Sequence, residues 1–176
     1  VDLAYCEFEE SGNSHTFNIG ACETVAYTDS WLSQLNTLPG ASALEYAETH
    51  TRYGRYLGGL VSKFVRSHNL EVDFVASHGH TIFHNPENHF TAQIGEGAAL
   101  AAACGLPVVS DFRTGDVAAG GQGAPLVPIG DQFLFPDYDY CLNLGGFANI
   151  SIQVKGERLA FDISPANIIL NYFEEK

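Results

Sequence analysis

The first 27 residues alternate. In VDLAYCEF (1–8) and SHTFNIGACETVAY (14–27) apolar and polar positions take turns, the period-two signature of half-buried strands. Ser11-Gly12-Asn13 between them is a turn signal, so the pattern predicts an antiparallel hairpin. The period then lengthens. A short helix is expected near 29–37, capped by Thr28 or Asp29 and closed by Pro39-Gly40. Tyr53, Leu57, Leu60, Val61, Phe64 and Val65 recur at helical spacing within 41–69, which predicts a long helix ending near Ser67-His68-Asn69. Gly54, Gly58 and Gly59 lie inside it, each costing about 1 kcal/mol against Ala. Close packing on a neighbouring element, or a kink, is their expected use.

Further along, VDFVASHG (72–79) reads as a buried strand running into a loop, TAQIG (91–95) as a short strand, and PVVSDF (107–112) as a third. EGAALAAACG (96–105) reads as an Ala-rich helix ended by Gly105. DYCLNLGG (139–146), FANISIQV (147–154) and RLAFDIS (158–164) form three strands with a hairpin signal at Lys155-Gly156-Glu157, and NIILNYFEE (167–175) closes as a helix. Strands alternating with helices imply parallel pairing, and the flanking hairpins make the sheet mixed. The expected class is α/β with a mixed sheet. The order of elements suggests that a second unit of the same kind begins near residue 138.

Charge narrows the partners. Eight Lys+Arg stand against 21 Asp+Glu, for a net charge of -13. A nucleic-acid groove or an anionic membrane surface asks for basic patches, so neither is expected as a partner. No run approaches the ~20 apolar residues of a membrane span, and VDLAYCEFEE lacks the basic start and apolar run of a secretory signal. A soluble cytoplasmic protein is expected. An anionic ligand would then need local donors such as amides at glycine loops. Cys6, Cys22, Cys104 and Cys141 are scattered among apolar residues without CxxC spacing and are expected as buried, reduced thiols. With Val at position 1 and no Met, the chain is expected to be part of something longer.

The candidate chemistry clusters at strand ends. His78 directly follows the apolar run 72–76, and Gln93, Asp111, Arg113 and Asp116 also follow apolar parts of strands. Ligands of α/β sheets bind at such ends. These residues either converge on a polar pocket, or Asp111 and Arg113 pair to brace their loop. His78, His80 and His84 have HxHxxxH spacing with His89 nearby, but no Cys or second cluster completes a zinc site, and hydrogen-bonding loop histidines are the plainer reading. "SDFRTGDVAAGGQGAPLVP" (110–128) holds more polar and glycine residues than a turn needs. Its Gly120, Gly121 and Gly123 lack the GxxxxGK[ST] order of a nucleoside-triphosphatase loop. In Asn143-Leu144-Gly145-Gly146-Phe147-Ala148-Asn149 the glycines fall at a strand-to-strand turn, where amides can face a phosphate. Asp162 ends a strand before a helix with Pro165 near its first turn. It either caps that helix or serves as a carboxylate at a cleft mouth, suited to a general base.

VASHGHT, TAQIGEG, VVSDFRTGDVAAGGQGAPLVP, LNLGGFANIS and FDISPAN occur together in an order and spacing that resemble the anhydro-N-acetylmuramic acid kinases, of the actin/hexokinase/Hsp70-like superfamily. The resemblance implies an actin-like (ribonuclease H-like) first lobe over 1–137, lacking its first strand and phosphate loop, and the beginning of a second, similar lobe over 138–176. It implies ATP and Mg²⁺ as cofactors and an amino sugar as substrate, opened at its 1,6-anhydro ring and phosphorylated at O6. A homodimer is the assembly to test, and the piece by itself is expected to be inactive. Val1 and Asp2 match the tail of the family's GTSxDGVD turn; with Asn143, Gly145, Gly146 and Asn149 they are implied at the ATP phosphates. Asp162 matches the Asp of DTGPGN, the family's catalytic base. His78, Gln93, Asp111, Arg113, Asp116 and Asn167 are taken for the sugar, and no side chain is assigned to a metal. Two departures stand out. His80 replaces the usual Gln of SHGQT, and Ile163 and Ala166 replace both glycines of DTGPGN, so a weakened or altered ligand contact is expected there. A non-catalytic chaperone-like or regulatory ATP-binding lobe is the alternative, and a metal-dependent hydrolase built on His78, His80 and His84 a third reading.

Overall fold

The computed structural model describes residues 1–12 and 14–174; the turn residue Asn13 and the end of the closing helix at Glu175 lie outside the described residues. The chain forms two compact units, Val1–Cys6 with Ile19–Gly123, and Glu7–Asn18 with Ala124–Lys176. Strands β1 (Asp2–Ser11) and β2 (Ser14–Thr24) pair with each other, as the alternation predicts, and contribute to both units. Thr24 Oγ1 donates across them to Asp2 Oδ1 at 2.6 Å.

In the first unit, α1 (Asp29–Thr37) is capped by Thr28, whose side chain accepts the Trp31 N–H, and a 3-10 turn at Leu38–Gly40 ends it. Helix α2 (Ala43–Ser67) is capped by Ser42 and buries Thr49, Tyr53, Leu57, Val61 and Phe64 along one stripe. It runs through its glycines unbroken. Gly54 and Gly58 instead let α3 (Gly97–Cys104) lie against it, since a Cβ on Gly58 would come within 2.6 Å of Ala103 Cβ. The core between them is Leu35, Leu38, Tyr53, Leu57, Ile94 and Leu100. Beside it, β3 (Val75–Ser77) and β6 (Val108–Ser110) pair in parallel, Val75 opposite Val108 and Ser77 opposite Ser110. This pairing confines β3 to three residues, fewer than the apolar run suggests.

The histidine segment, expected as a loop, is a strand. β4 (His80–Asn85) pairs antiparallel with β5 (Phe90–Ile94), His80 opposite Ile94 and His84 opposite Thr91. The register shifts between Thr81 and Phe83, so the alternation of His80, Thr81 and Ile82 breaks there, and Phe83 and His84 are both exposed. Gly79 makes the turn into β4 with a φ of 73°, and a Cβ there would strike the Ile94 carbonyl. The long polar stretch also holds structure. It contains α4 (Thr114–Ala118) and leads into α5 (Val127–Leu134), whose Pro128 sits in the first turn, where a missing N–H does no harm.

The second unit is built on an antiparallel meander of β7 (Tyr140–Leu144), β8 (Phe147–Val154) and β9 (Glu157–Pro165), followed by α6 (Asn167–Glu174). Helix α5 is tied to it by a buried polar link. Ser151 Oγ donates to Asp131 Oδ2 at 2.5 Å, and Arg158 Nη1 donates to Ser151 Oγ at 3.1 Å. The fold is therefore mixed α/β, with parallel and antiparallel pairing as expected. All four cysteines are free, but none is fully buried: Cys22 falls on the outward register of β2 and is exposed, contrary to expectation. Among the described residues no helix is long and apolar enough to cross a membrane.

Candidate functional site

Three strand ends of the first unit meet. Ser77 and His78 end β3, Gln93 and Ile94 end β5, and Ser110 and Asp111 end β6. With His50 from α2, Thr91, Gly97 and Thr114 they line a cavity of about 250 Å³. Asp111 holds a left-handed backbone at φ 63°, rare for a side chain with a Cβ, while its Oδ1 accepts from Thr114 Oγ1 at 2.5 Å. His78, Gln93 and Asp111 are thus brought together.

Arg113 and Asp116 do something else. Arg113 Nε donates to His78 Nε2 at 2.8 Å, and its Nη1 donates to the Gly123 carbonyl at 2.5 Å. Asp116 Oδ2 accepts the Gly123 N–H at 2.6 Å. Both side chains therefore clamp the glycine-rich loop, and Asp111 pairs with Thr114 and not with Arg113. Burial lowers the Arg113 pKa below its ordinary value. An Arg N–H can only donate, so His78 Nε2 is the acceptor and its ring proton lies on Nδ1, 3.1 Å from the Gly79 carbonyl. With its Nε2 lone pair engaged by a guanidinium, His78 is ill suited to ligate zinc. His84 Nδ1 meets Thr91 Oγ1 at 3.2 Å. Among the described residues no three His, Cys, Asp or Glu side chains form a metal cluster.

His80 lies among aromatic rings, 6.4 Å from Tyr53 and 6.5 Å from Tyr27 between centroids. Burial, and after it the neighbouring His78, lower its pKa below the usual 6.5. Between the lowered and the usual value the unfolded chain binds the extra proton. Stability is therefore complete above the usual value and falls as the pH drops through that window. His80→Gln, which removes the titrating ring, should flatten this fall in thermal unfolding scanned from about pH 7.5 to 5. An unchanged slope would show that His80 does not carry it.

The second unit has its own polar row. Strand register places Asn143 opposite Asn149 and Asn149 opposite Asp162, so the three share one face of the meander. Asp162 is exposed, and among the described residues no hydrogen bond holds its carboxylate. It lies within β9, so it does not cap α6, which begins only at Asn167. Asn167 Nδ2 donates to the Leu144 carbonyl at 3.4 Å. Gly145 and Gly146 form the turn between β7 and β8, and their carbonyls accept the N–H groups of Ala166, Asn167 and Ile168. Val1 and Asp2 lie instead in the first unit, beside a cavity of about 410 Å³ between β1 and β3. His50, Ser77, Thr91, Ser110 and Thr114 were not singled out in the sequence. His50 had a faint signal, a polar residue one turn from Gly54 on a helix flank next to the buried Thr49.

Parallel and antiparallel pairing in a mixed α/β chain, with a polar cavity at its strand ends, are features shared with the class of actin-like ATPase lobes. The sequence model of the anhydro-N-acetylmuramic acid kinase family matches residues 10–176, and the chain belongs to that family. It is 34% identical to the anhydro-N-acetylmuramic acid kinase of Francisella tularensis subsp. novicida, with 97% of this chain and 50% of the relative covered. To that of Paramagnetospirillum magneticum it is 38% identical, covering 97% of this chain and 49% of the relative. Over 101 residues, 55% of this chain and 28% of the relative, it is 50% identical to that of Pseudomonas paraeruginosa. The chain spans about half the length of the first two relatives.

Proposed function

We propose that the chain is part of a cytoplasmic, ATP-dependent kinase that hydrolytically opens 1,6-anhydro-N-acetylmuramic acid and phosphorylates its O6, giving N-acetylmuramic acid 6-phosphate in cell-wall recycling. The observation that carries this reading is the unengaged carboxylate of Asp162 in a chain of this family. Asp162 takes a proton from the water that attacks the anomeric carbon. The C1–O6 bond breaks, and O6 becomes the acceptor of the phosphoryl group.

ATP with Mg²⁺ supplies that phosphoryl group. The turn at Gly145-Gly146 fits a phosphate: its carbonyls are turned to α6, and in a trans peptide the partnered N–H points the opposite way. A Cβ on Gly145 would meet nothing nearer than the Phe147 carbonyl at 3.6 Å, so that side is open. Asn143 and Asn149 flank the turn. Mg²⁺ asks for only one or two carboxylates besides phosphate oxygens, so no preformed acidic cluster is needed. For the sugar, His78, Gln93 and Asp111 line the smaller cavity, Arg113 and Asp116 hold its loop, and Asn167 steadies the β7 end. Residues 1–137 are taken as a first lobe and 138–176 as the opening of a second. The proposal includes a homodimer, which sedimentation of the full-length protein checks.

The test incubates the full-length protein with Mg·ATP and the anhydro sugar in ¹⁸O-water. Mass spectrometry should find a sugar 6-phosphate carrying one ¹⁸O, absent with Asp162→Asn. No product from folded wild type would end the kinase reading.

A further inference from the structure

Two side chains on the polar face of the meander stand opposite each other with nothing else to bind. Asn149 on β8 is the register partner of Asp162 on β9. Opposed residues of an antiparallel pair share a face, with Cβ atoms about 4.5–5.5 Å apart, so an amide on one strand can reach a carboxylate on the other. Asn149 is half-buried, and among the described residues no hydrogen bond holds either side chain. A half-buried amide without a partner is costly, and the carboxylate across the ladder supplies one.

The ladder changes at this pair. It runs in step from Val154 opposite Glu157 to Asn149 opposite Asp162 and then slips, Ala148 facing Ser164, so Ile163 is an extra residue on β9. A bulge bends its strand and re-aims the side chains beside it. Asp162 is the last residue before that bend, and its place is set across the ladder at Asn149. The charged groups of this face are committed elsewhere. Ser151, the next residue of β8 on the same side, is bound by Asp131 of α5 and by Arg158. Arg158, four residues back along β9, also donates to Cys141 Sγ and to the Tyr138 carbonyl.

We propose that Asn149 is a positioning residue for Asp162, its side-chain amide donating to one carboxylate oxygen and leaving the other to take the proton from water. A carboxylate can only accept, so Asn149 turns its Nδ2 towards it. Neither side chain is tied to another group, so rotation about their own torsions joins them. The proposal rests on Asp162 as the base and adds the residue that orients it.

The experiment uses the full-length protein and two readouts. The first is the ¹⁵N-edited spectrum of the side-chain amides, in which the Asn149 pair is identified by its loss in Asn149→Ala. One Asn149 Nδ2 proton should resonate downfield of a free amide, and Asp162→Ala should return it to the free position. An Asn149 signal that ignores Asp162→Ala overturns the proposal. The second is turnover with Mg·ATP and the anhydro sugar. Asn149→Ala should lower kcat about tenfold, as mis-set geometry does, and leave both KM values within about twofold. In the Asp162→Ala background the same change should cost nothing further, because Asn149 acts only through that carboxylate. A contact to phosphate alone would instead raise KM for ATP and cost the same in both backgrounds, which also overturns the proposal. If Asn149→Ala does not fold, Asn149→Leu, of similar size to Asn and equally without a donor, replaces it in both readouts. A coupled amide signal without phosphorylated product from folded wild type would sink the kinase reading and leave the pair standing. Phosphorylation without a coupled signal would do the reverse.

Discussion

Asp162→Asn in the full-length protein should cut sugar phosphorylation by a factor on the order of 10³, within the range a positioned general base supplies. The substitution keeps shape and removes one property, the ability to take a proton. Asn is also as good a helix cap as Asp, so a purely capping role predicts no loss at all. The structure already weighs against capping, because Asp162 faces Asn149 across β9 and β8, five residues before α6 begins. ATP affinity and thermal unfolding of the variant should stay close to wild type, with the loss confined to turnover. Turnover near the wild-type rate would remove Asp162 from the chemistry whatever the family pattern says.

Much of this was legible before any coordinates. The alternation of residues 1–27, the helical spacing of Tyr53, Leu57, Val61 and Phe64, and the three strands after Asp139 all appear as elements within a few residues of their expected bounds. These are places where burial on one face writes a period into the chain. The histidine segment failed because it is mostly polar and a register shift between Thr81 and Phe83 breaks its alternation. Imidazole at 80 and 84 looks like loop chemistry until β5 is seen to pair with it. Helix α5 was hidden by Pro128, which ends the polar stretch 110–128, though Pro is at home in a first helical turn. At the site, the strand-end argument found His78, Gln93 and Asp111, since strand ends converge in any parallel pair. It could not find His50. That residue reaches the cavity only because Gly54 and Gly58 seat α3 on α2, a tertiary fact that no local spacing records.

That seating yields the second large effect. Gly54→Val should destabilise the protein by about 3 kcal/mol, the upper end of the usual overpacking range. A Cβ at position 54 would lie 2.5 Å from the Glu96 carbonyl oxygen and 2.9 Å from its nitrogen, and these are backbone atoms with no rotamer to retreat into. At about 2–4 °C per kcal/mol for a chain of this size, the melting temperature should drop by roughly 6–12 °C. Gly59, in the same helix, meets nothing within 4 Å, so Gly59→Ala should stabilise by up to about 1 kcal/mol through helix propensity alone. Opposite signs within one helix separate close packing from backbone entropy, because propensity by itself would stabilise at both positions. The consequence also reaches the cavity. Glu96 N–H donates to the His50 carbonyl and Gly95 N–H meets His50 Nδ1, so pushing α3 away pulls on both bonds. Sugar binding should therefore weaken in Gly54→Val and persist in Gly59→Ala. A Gly54→Val protein that melts with the wild type would mean that α3 can slide along α2, and the cavity wall would then be softer than its hydrogen bonds imply.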